Sequence, residues 1–236
     1  MPTSGSPRLA LVGDRYNHDE PSHPHLETLL PQVGIEPVWV PTGDVTGPDV
    51  LGGFAGVWVV PGAPYKDQAG VHRAIGFARE SRLPFLGTCG GFFSAMIEHA
   101  QNELRLPAAR GVDEDPEVLR PLIMPLACSV NGERAVLTIE AGSRIAQLYG
   151  ATDGVTEVFQ CQWALTGGFM EEAAQGALRI TARDADGAPR AVEIADHPFF
   201  IATLFQPELS SSAAAVHPIV AGFLTAVRSE AEELVR

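Results

Sequence analysis

Short apolar runs alternate with segments of helical length through the first half of the chain. Near-continuous apolar strands separated by helices indicate a buried parallel sheet covered on both faces. The first half is therefore predicted to be doubly wound α/β. The predicted strands are Leu9–Gly13, Val38–Val40, Gly56–Val60 and Phe85–Gly87, and the predicted helices are His25–Val33, Gln68–Arg82 and Gly91–Glu103.

The second half is predicted to be richer in strands. Its apolar runs are Leu122–Val130, Ala135–Ile139, Thr156–Trp163, Leu178–Ala182, Ala191–Ile194 and Phe200–Leu204. The Asp186-Gly187 step between two of them is typical of a hairpin turn. Ser212–Val235 is predicted to be the closing helix, and the segment Arg110–Pro121, rich in Pro, Asp and Glu, is a candidate mobile loop or lid.

A length of 236 residues suits one large domain. We expect residues 1–7 to form a disordered tail and residues 8–236 a single domain. No apolar run approaches the roughly 20 residues of a membrane span. The N-terminus lacks the pattern of a signal peptide, so the sequence favours a cytoplasmic location.

The net charge of the chain limits the kinds of molecule that it is expected to bind. Sixteen basic and twenty-nine acidic residues give a formal charge of −13, which disfavours nucleic acid and anionic membranes. The three cysteines are far apart, with no CxxC pair and no Cys/His cluster at metal-ligand spacing. We expect no metal and no cofactor, and a small molecule or a protein as partner.

One of these cysteines, Cys89, lies in the stretch PFLGTCGGFF at a predicted strand-to-helix turn. A helix N-terminus beside a thiol favours the thiolate, and the flanking glycines allow a sharp turn and close approach of a substrate carbonyl. The pattern predicts a nucleophile elbow, with the Gly90 N–H as an oxyanion donor. The alternative is that Cys89 is a small buried hydrophobic residue.

Four segments carry a resemblance to a known family. They are RLALVGD (8–14), GVWVVPGAPY (56–65), PFLGTCGGFFSAMIEHAQNEL (84–104) and DADGAPRAVEIADHPFFIATLFQPELSS (184–211). Together they resemble class I glutamine amidotransferases, and among these the glutaminase domain of CTP synthases, over about residues 8–230. The resemblance implies a three-layer αβα, flavodoxin-like fold with a mostly parallel central sheet and an added antiparallel strand region.

The resemblance also implies roles for single residues. In the family a cysteine attacks the glutamine side-chain amide, backbone N–H groups hold the oxyanion, and a histidine held by a glutamate moves the proton. Carried over, Cys89 is the nucleophile and Glu208 the triad glutamate. Gly62 or Ala63, with Gly90, supplies the oxyanion donors.

The sequence departs from the family at several of these positions. Gln206 stands where the family has its histidine, and an amide cannot accept the thiol proton. Phe93 replaces a substrate-contacting glutamine, and Pro64 removes a donor from the oxyanion segment. The family's basic run is replaced by Gln160-Cys161-Gln162. Cys161 is a weak candidate for a second thiol.

Other candidate residues stay open. Asp113 and Glu114 fall where the family binds the substrate amino group, or else form a solvated acidic loop. His197 is expected in a turn, and His99 lies too far down the helix after Cys89 to serve as base; His72 is slightly better placed. Cys128 is expected in the core, and the remaining histidines, His18, His23, His25 and His217, at the surface or in caps.

Two functions remain. The first is a Cys89-dependent hydrolase or acyl transferase acting on an amide or related acyl substrate, with ordinary glutaminase activity in doubt. The alternative is a non-catalytic pseudo-glutaminase that binds a ligand or regulates a partner; thiol redox chemistry is a weaker third. The sequence lacks a GxxxxGK[ST] phosphate loop, so we expect no complete CTP synthase. A synthase partner chain and a homodimer are both left open.

Overall fold

The computed structural model describes residues 5–15, 20–106, 123–165 and 175–235. Within these ranges only the backbone is described for residues 123–131, 133 and 160–165. The candidate lid Arg110–Pro121, with Asp113 and Glu114, lies outside the described residues, as does His18.

Five parallel strands form one side of the sheet, in the order β2, β1, β3, β4, β9. Their bounds are β1 Arg8–Val12, β2 Glu36–Val40, β3 Gly56–Val59, β4 Phe85–Thr88 and β9 Phe200–Thr203. The helices that connect or follow them are α1 Ser22–Gln32, α2 Gln68–Glu80, α3 Gly90–Asn102 and α5 Pro218–Leu234.

The sheet continues beyond β9 with antiparallel strands, in the order β8, β7, β5, β6. These are β5 Ile123–Ile139, β6 Val155–Leu165, β7 Leu178–Arg183 and β8 Pro189–Ile194. The predicted fold, a mostly parallel α/β sheet with an added antiparallel region, is thus confirmed.

Side chains of β3 show how the sheet is covered. Trp58 and Val59 are both fully buried although consecutive strand residues point to opposite faces. Trp58 packs edge-to-face on Phe223 of α5, with ring centroids 5.6 Å apart. On the other face, Val59 lies so close to Gly91 of α3 that a Cβ on this glycine would be 2.5 Å from the Val59 carbonyl oxygen. Helices therefore cover both faces.

Three element predictions were wrong in detail. Leu122–Val130 and Ala135–Ile139 were predicted as two strands but form one, because Gly132, at φ 75°, lies in an irregularity of the strand pairing rather than in a turn. The closing helix starts at Pro218, not Ser212, since a residue before proline is held extended. The short helix α4, Arg144–Tyr149, was missed.

No helix among the described residues is both long and apolar enough to cross a membrane.

Candidate functional site

The predicted site residues follow the carboxyl ends of neighbouring parallel strands. Thr88, the last residue of β4, pairs with Thr203, the last residue of β9. The Cys89 N–H donates to the Thr203 carbonyl at 2.9 Å, which fixes the elbow to the start of the segment that leads to Gln206. Ligands of doubly wound sheets bind at this edge.

Cys89 occupies a sharp turn between β4 and α3. Its backbone has φ 53° and ψ −108°, a conformation that non-glycine residues rarely adopt and that costs on the order of 1–3 kcal/mol. The residue caps the N-terminus of α3 and is half-buried, between the buried Thr88 and Gly90. Strain of this kind persists where surrounding contacts enforce it, and Cys89 lies at the carboxyl edge of the sheet, directly after β4.

Two of the flanking glycines are needed because the backbone around them is crowded. A Cβ on Gly90 would lie 2.8 Å from the Ala63 Cβ and 2.9 Å from the Tyr65 hydroxyl oxygen. A Cβ on Gly87 would lie 2.9 Å from the carbonyl oxygen of Gly91. The elbow is thus packed directly against the segment that follows β3.

That segment, Pro61–Asp67, is held at several points. The Tyr65 hydroxyl donates to the Val60 carbonyl at 2.6 Å. The Lys66 N–H donates to the Asp14 carboxylate at 2.8 Å, and the Thr42 hydroxyl donates to the same oxygen at 2.8 Å. Because Asp14 follows β1 and Thr42 follows β2, the ends of three strands fix this segment.

The backbone nitrogens proposed as oxyanion donors lie close together. The Ala63 nitrogen is 3.3 Å from the place that a Cβ on Gly90 would occupy. Gly62 has φ 132°, a backbone conformation that favours glycine, and is buried beside the imidazole of His23. The structure therefore brings the Gly62-Ala63 segment to Gly90, as the oxyanion prediction requires.

Gln206 and Glu208 are both almost fully buried, with exposed fractions of 2% and 0%. The Gln206 side-chain amide donates to the Glu20 carboxylate at 3.2 Å. One Glu208 oxygen, Oε1, accepts from the Ser22 hydroxyl at 2.9 Å and from the Thr88 hydroxyl at 3.2 Å. Glu208 is thereby tied to the residue that precedes Cys89.

Two oxygens of this cluster have no hydrogen-bond partner among the residues that the structure describes. They are Oε1 of Gln206 and Oε2 of Glu208. Burial raises the pKa of Glu208 to about 7, and the neighbouring Glu20 carboxylate raises it too, while hydrogen bonds from its own backbone N–H, from Ser22 and from Thr88 oppose the shift. The Glu208 carboxyl therefore changes protonation state near neutral pH.

The remaining residues that were predicted to contact the substrate are Phe93, Gln160, Cys161 and Gln162. Phe93 is buried, with its ring edge-to-face on Phe92 at a centroid distance of 5.5 Å. Gln160, Cys161 and Gln162 lie in β6, and their side chains are outside the described residues. Within the described ranges, no group of His, Cys, Asp and Glu is arranged to hold a metal ion.

The histidines considered as bases are committed to other contacts. His197 bonds the Ala78 carbonyl at 3.1 Å and precedes β9, at the opposite end of that strand from Gln206; burial lowers its pKa. His72 pairs with the Gln68 amide at 3.1 Å, and burial lowers its pKa to about 4. His99 bonds the Gln175 carbonyl at 3.0 Å.

The prediction that His23 is a surface or cap residue was wrong. Its ring is buried, bonds the Pro61 carbonyl at 2.7 Å and stacks edge-to-face on Trp39. His217 does cap a helix, α5, but it is buried and also bonds Glu157 at 2.9 Å.

Sequence reasoning missed the contribution of the segment that precedes α1. Glu20 lies there and Ser22 is the first residue of α1; the Ser22 N–H donates to Glu20 at 3.1 Å while its hydroxyl donates to Glu208. The missed signal is an acidic residue and a hydroxyl in the connection after β1, since such connections open onto the carboxyl edge of the sheet.

Sequence comparison finds no matching family model, but it finds many curated relatives. A CTP synthase of Campylobacter jejuni subsp. jejuni is 27% identical over 251 aligned positions, covering 94% of this chain and 46% of the relative. A CTP synthase of Rubrobacter xylanophilus is 31% identical over 220 positions, covering 87% and 39%. The chain thus spans less than half the length of these relatives.

Two solved structures also superimpose on this chain over nearly its whole length. The glutaminase domain of Trypanosoma brucei CTPS, solved with bound acivicin, superimposes with a TM-score of 0.85 at 20% identity, covering 94% of both chains. A putative GMP synthase subunit from Thermoplasma acidophilum superimposes with a TM-score of 0.65 at 14% identity, covering 98% of both. The chain is thus a relative of the CTP synthases with the fold of a class I glutamine amidotransferase domain.

Proposed function

We propose that this protein is a Cys89-dependent hydrolase or acyl transferase that acts on an amide or related acyl substrate. The observation that carries the proposal is the strained Cys89 backbone at the N-terminus of α3, packed against the segment that holds Ala63. A domain without chemistry has no physical need for a thiol in that conformation, whereas a nucleophile does.

The proposed reaction has two steps. The Cys89 sulfur attacks the acyl carbon, the backbone N–H groups of Ala63 and Gly90 hold the oxyanion, and the leaving amine carries away the proton that the thiol gives up. Water then attacks the thioester, yielding the carboxylic acid and restoring the thiol. An amine or alcohol in place of water gives transfer instead of hydrolysis.

Ordinary glutaminase chemistry is not part of the proposal. Gln206 stands at the position of the family's base, and its amide is bonded to Glu20 rather than free to take a proton. The helix N-terminus then has to favour the thiolate without an imidazole. The synthase activity of the longer relatives is not proposed for this chain. A separate synthase partner chain and a homodimer are compatible with the proposed function.

The second candidate function is a pseudo-glutaminase that binds a ligand or regulates a partner. The unpartnered oxygens of Gln206 and Glu208 favour it, because they leave the former base position able to bind but not to accept a thiol proton. The two candidates differ in whether a thioester forms on Cys89.

Covalent capture tests the proposed function. The protein is incubated with p-nitrophenyl esters and with anilides of small acids, quenched in acid, and its intact mass is measured with and without hydroxylamine. We expect an added acyl mass that hydroxylamine removes, as thioesters require, and that is absent from Cys89→Ala. Acylation that persists unchanged in Cys89→Ala, or none with any ester, would support the pseudo-glutaminase instead.

A further inference from the structure

The cluster formed by Glu20, Gln206 and Glu208, in which Gln206 and Glu208 are buried and Glu20 is half-buried, is rich in acceptors and poor in donors. Glu20 and Glu208 are carboxyl groups, and the described donors to them are Ser22, Thr88, the Gln206 amide and, for Glu208, its own backbone N–H. Within the described parts of the chain, no lysine or arginine forms an ion pair with either. Glu20 and Glu208 therefore have no cationic partner among the described residues.

Two unpartnered oxygens point to a missing donor. Oε1 of Gln206 and Oε2 of Glu208 belong to side chains that are 2% and 0% exposed, and neither receives a hydrogen bond. Buried acceptors without a donor cost on the order of 1–3 kcal/mol each, so native sites usually fill such places with a donor. The described bond of the Gln206 side-chain nitrogen is to Glu20, so neither oxygen has a donor within the described part of the cluster.

Hydrogen bonds connect the cluster to the turn that carries Cys89. Glu208 bonds Thr88, which precedes Cys89, and Cys89 bonds Thr203, three residues before Gln206. The N-terminus of α1 supplies the Ser22 N–H to Glu20 at 3.1 Å. The cluster therefore adjoins the turn that carries Cys89.

We propose that Glu20, Gln206 and Glu208 form a subsite for a cationic, N–H-donating group of the acyl substrate, such as a primary ammonium, amidinium or guanidinium. The proposal rests on the proposed function, since it names the substrate class of the Cys89 reaction. Such a group supplies both the positive charge and the hydrogen-bond donors that the cluster lacks.

The charge preference of Cys89 modification tests this subsite. Three methanethiosulfonate reagents deliver an aminoethyl (cationic), a methyl (neutral) or a sulfonatoethyl (anionic) group to a thiolate, releasing methanesulfinate. Second-order rate constants at pH 8 are followed by intact mass, with Cys89→Ala as the blank for Cys128 and Cys161. Each is divided by the rate constant of N-acetylcysteinamide with the same reagent.

We expect the normalised rate for the aminoethyl reagent to exceed that for the sulfonatoethyl reagent at least about tenfold, with the neutral reagent between them. Glu20→Gln is expected to remove most of this ratio. The matched control Glu36→Gln loses the same charge from an exposed position at the start of β2, away from the carboxyl edge, and should keep the ratio.

Two outcomes overturn the subsite. One is a ratio near one in the wild type; the other is a ratio that Glu20→Gln and Glu36→Gln reduce equally, which would assign it to net charge alone. The proposed function is judged separately, by the absolute rate with the neutral reagent. If Cys89 reacts with the neutral reagent more slowly than N-acetylcysteinamide does, the proposed role as nucleophile is contradicted. If it still reacts faster with the aminoethyl than with the sulfonatoethyl reagent, the subsite is supported.

Discussion

A Gln206→His variant is expected to hydrolyse p-nitrophenyl acetate on the order of 100-fold faster than the wild type near pH 7, because general-base assistance is worth about 10²–10⁴ in rate. The position follows β9 on the strand that is bonded to Cys89, and Glu208 Oε2 is an acceptor without a partner that can orient an imidazole. Imidazole titrates near neutral pH, whereas the carboxamide does not.

Two further variants test whether the gain in rate comes from the imidazole at position 206. Gln206→Asn keeps an amide and is expected to give no gain. Combining Gln206→His with Glu208→Gln should remove much of the gain in rate, because a glutamine stabilises a protonated imidazole less well than a carboxylate does. A folded Gln206→His protein with unchanged rates and an unchanged pH profile would show that position 206 is not the position of the base.

A Glu208→Gln variant is expected to be about 3 kcal/mol more stable than the wild type at pH 8 and about equally stable near pH 4.5. Burial raises the pKa of Glu208 from 4.5 to about 7, so the folded state binds more protons than the unfolded state between these values. Wild-type stability therefore falls as pH rises through this window, and the loss is complete above about pH 7. A tenfold difference in proton affinity between the two states corresponds to about 1.4 kcal/mol of unfolding free energy.

Urea unfolding of the wild type and of Glu208→Gln at pH 5, 6, 7 and 8 measures the difference in their free energies of unfolding. The contributions of the other titrating groups cancel in this difference. Glu36→Gln, at an exposed site, is the control for loss of one charge. A Glu208→Gln stability difference that stays constant across the pH range would contradict a buried carboxyl that ionises near neutrality.

The elbow was predictable from sequence because its determinants are local. An apolar strand, a cysteine and consecutive glycines lie within a few residues, and the structure gives each a steric reason, such as the contact of Gly91 with the Val59 carbonyl. The mostly parallel α/β sheet was predictable for a similar reason, since its strands carry apolar runs of their own between helical segments.

The acceptor cluster was not predictable in the same way. Glu20 and Gln206 are 186 residues apart in sequence, as are Ser22 and Glu208, and only the return of β9 to the side of β4 brings them together. Its residues have no local pattern. Likewise, His23 was placed at the surface because α1 was predicted to begin at His25; it begins at Ser22, and this extra turn buries the imidazole against Pro61.

The most direct test of the account is the pH dependence of Cys89 alkylation by iodoacetamide, followed by intact mass with Cys89→Ala as the blank. N-acetylcysteinamide, measured in parallel, gives the behaviour of a free thiol, which ionises near pH 8.5. A nucleophile prepared by the helix N-terminus predicts rapid labelling that persists well below pH 8. Labelling of Cys89 that is as slow as, or slower than, that of the free thiol at every pH would contradict a catalytic role for Cys89.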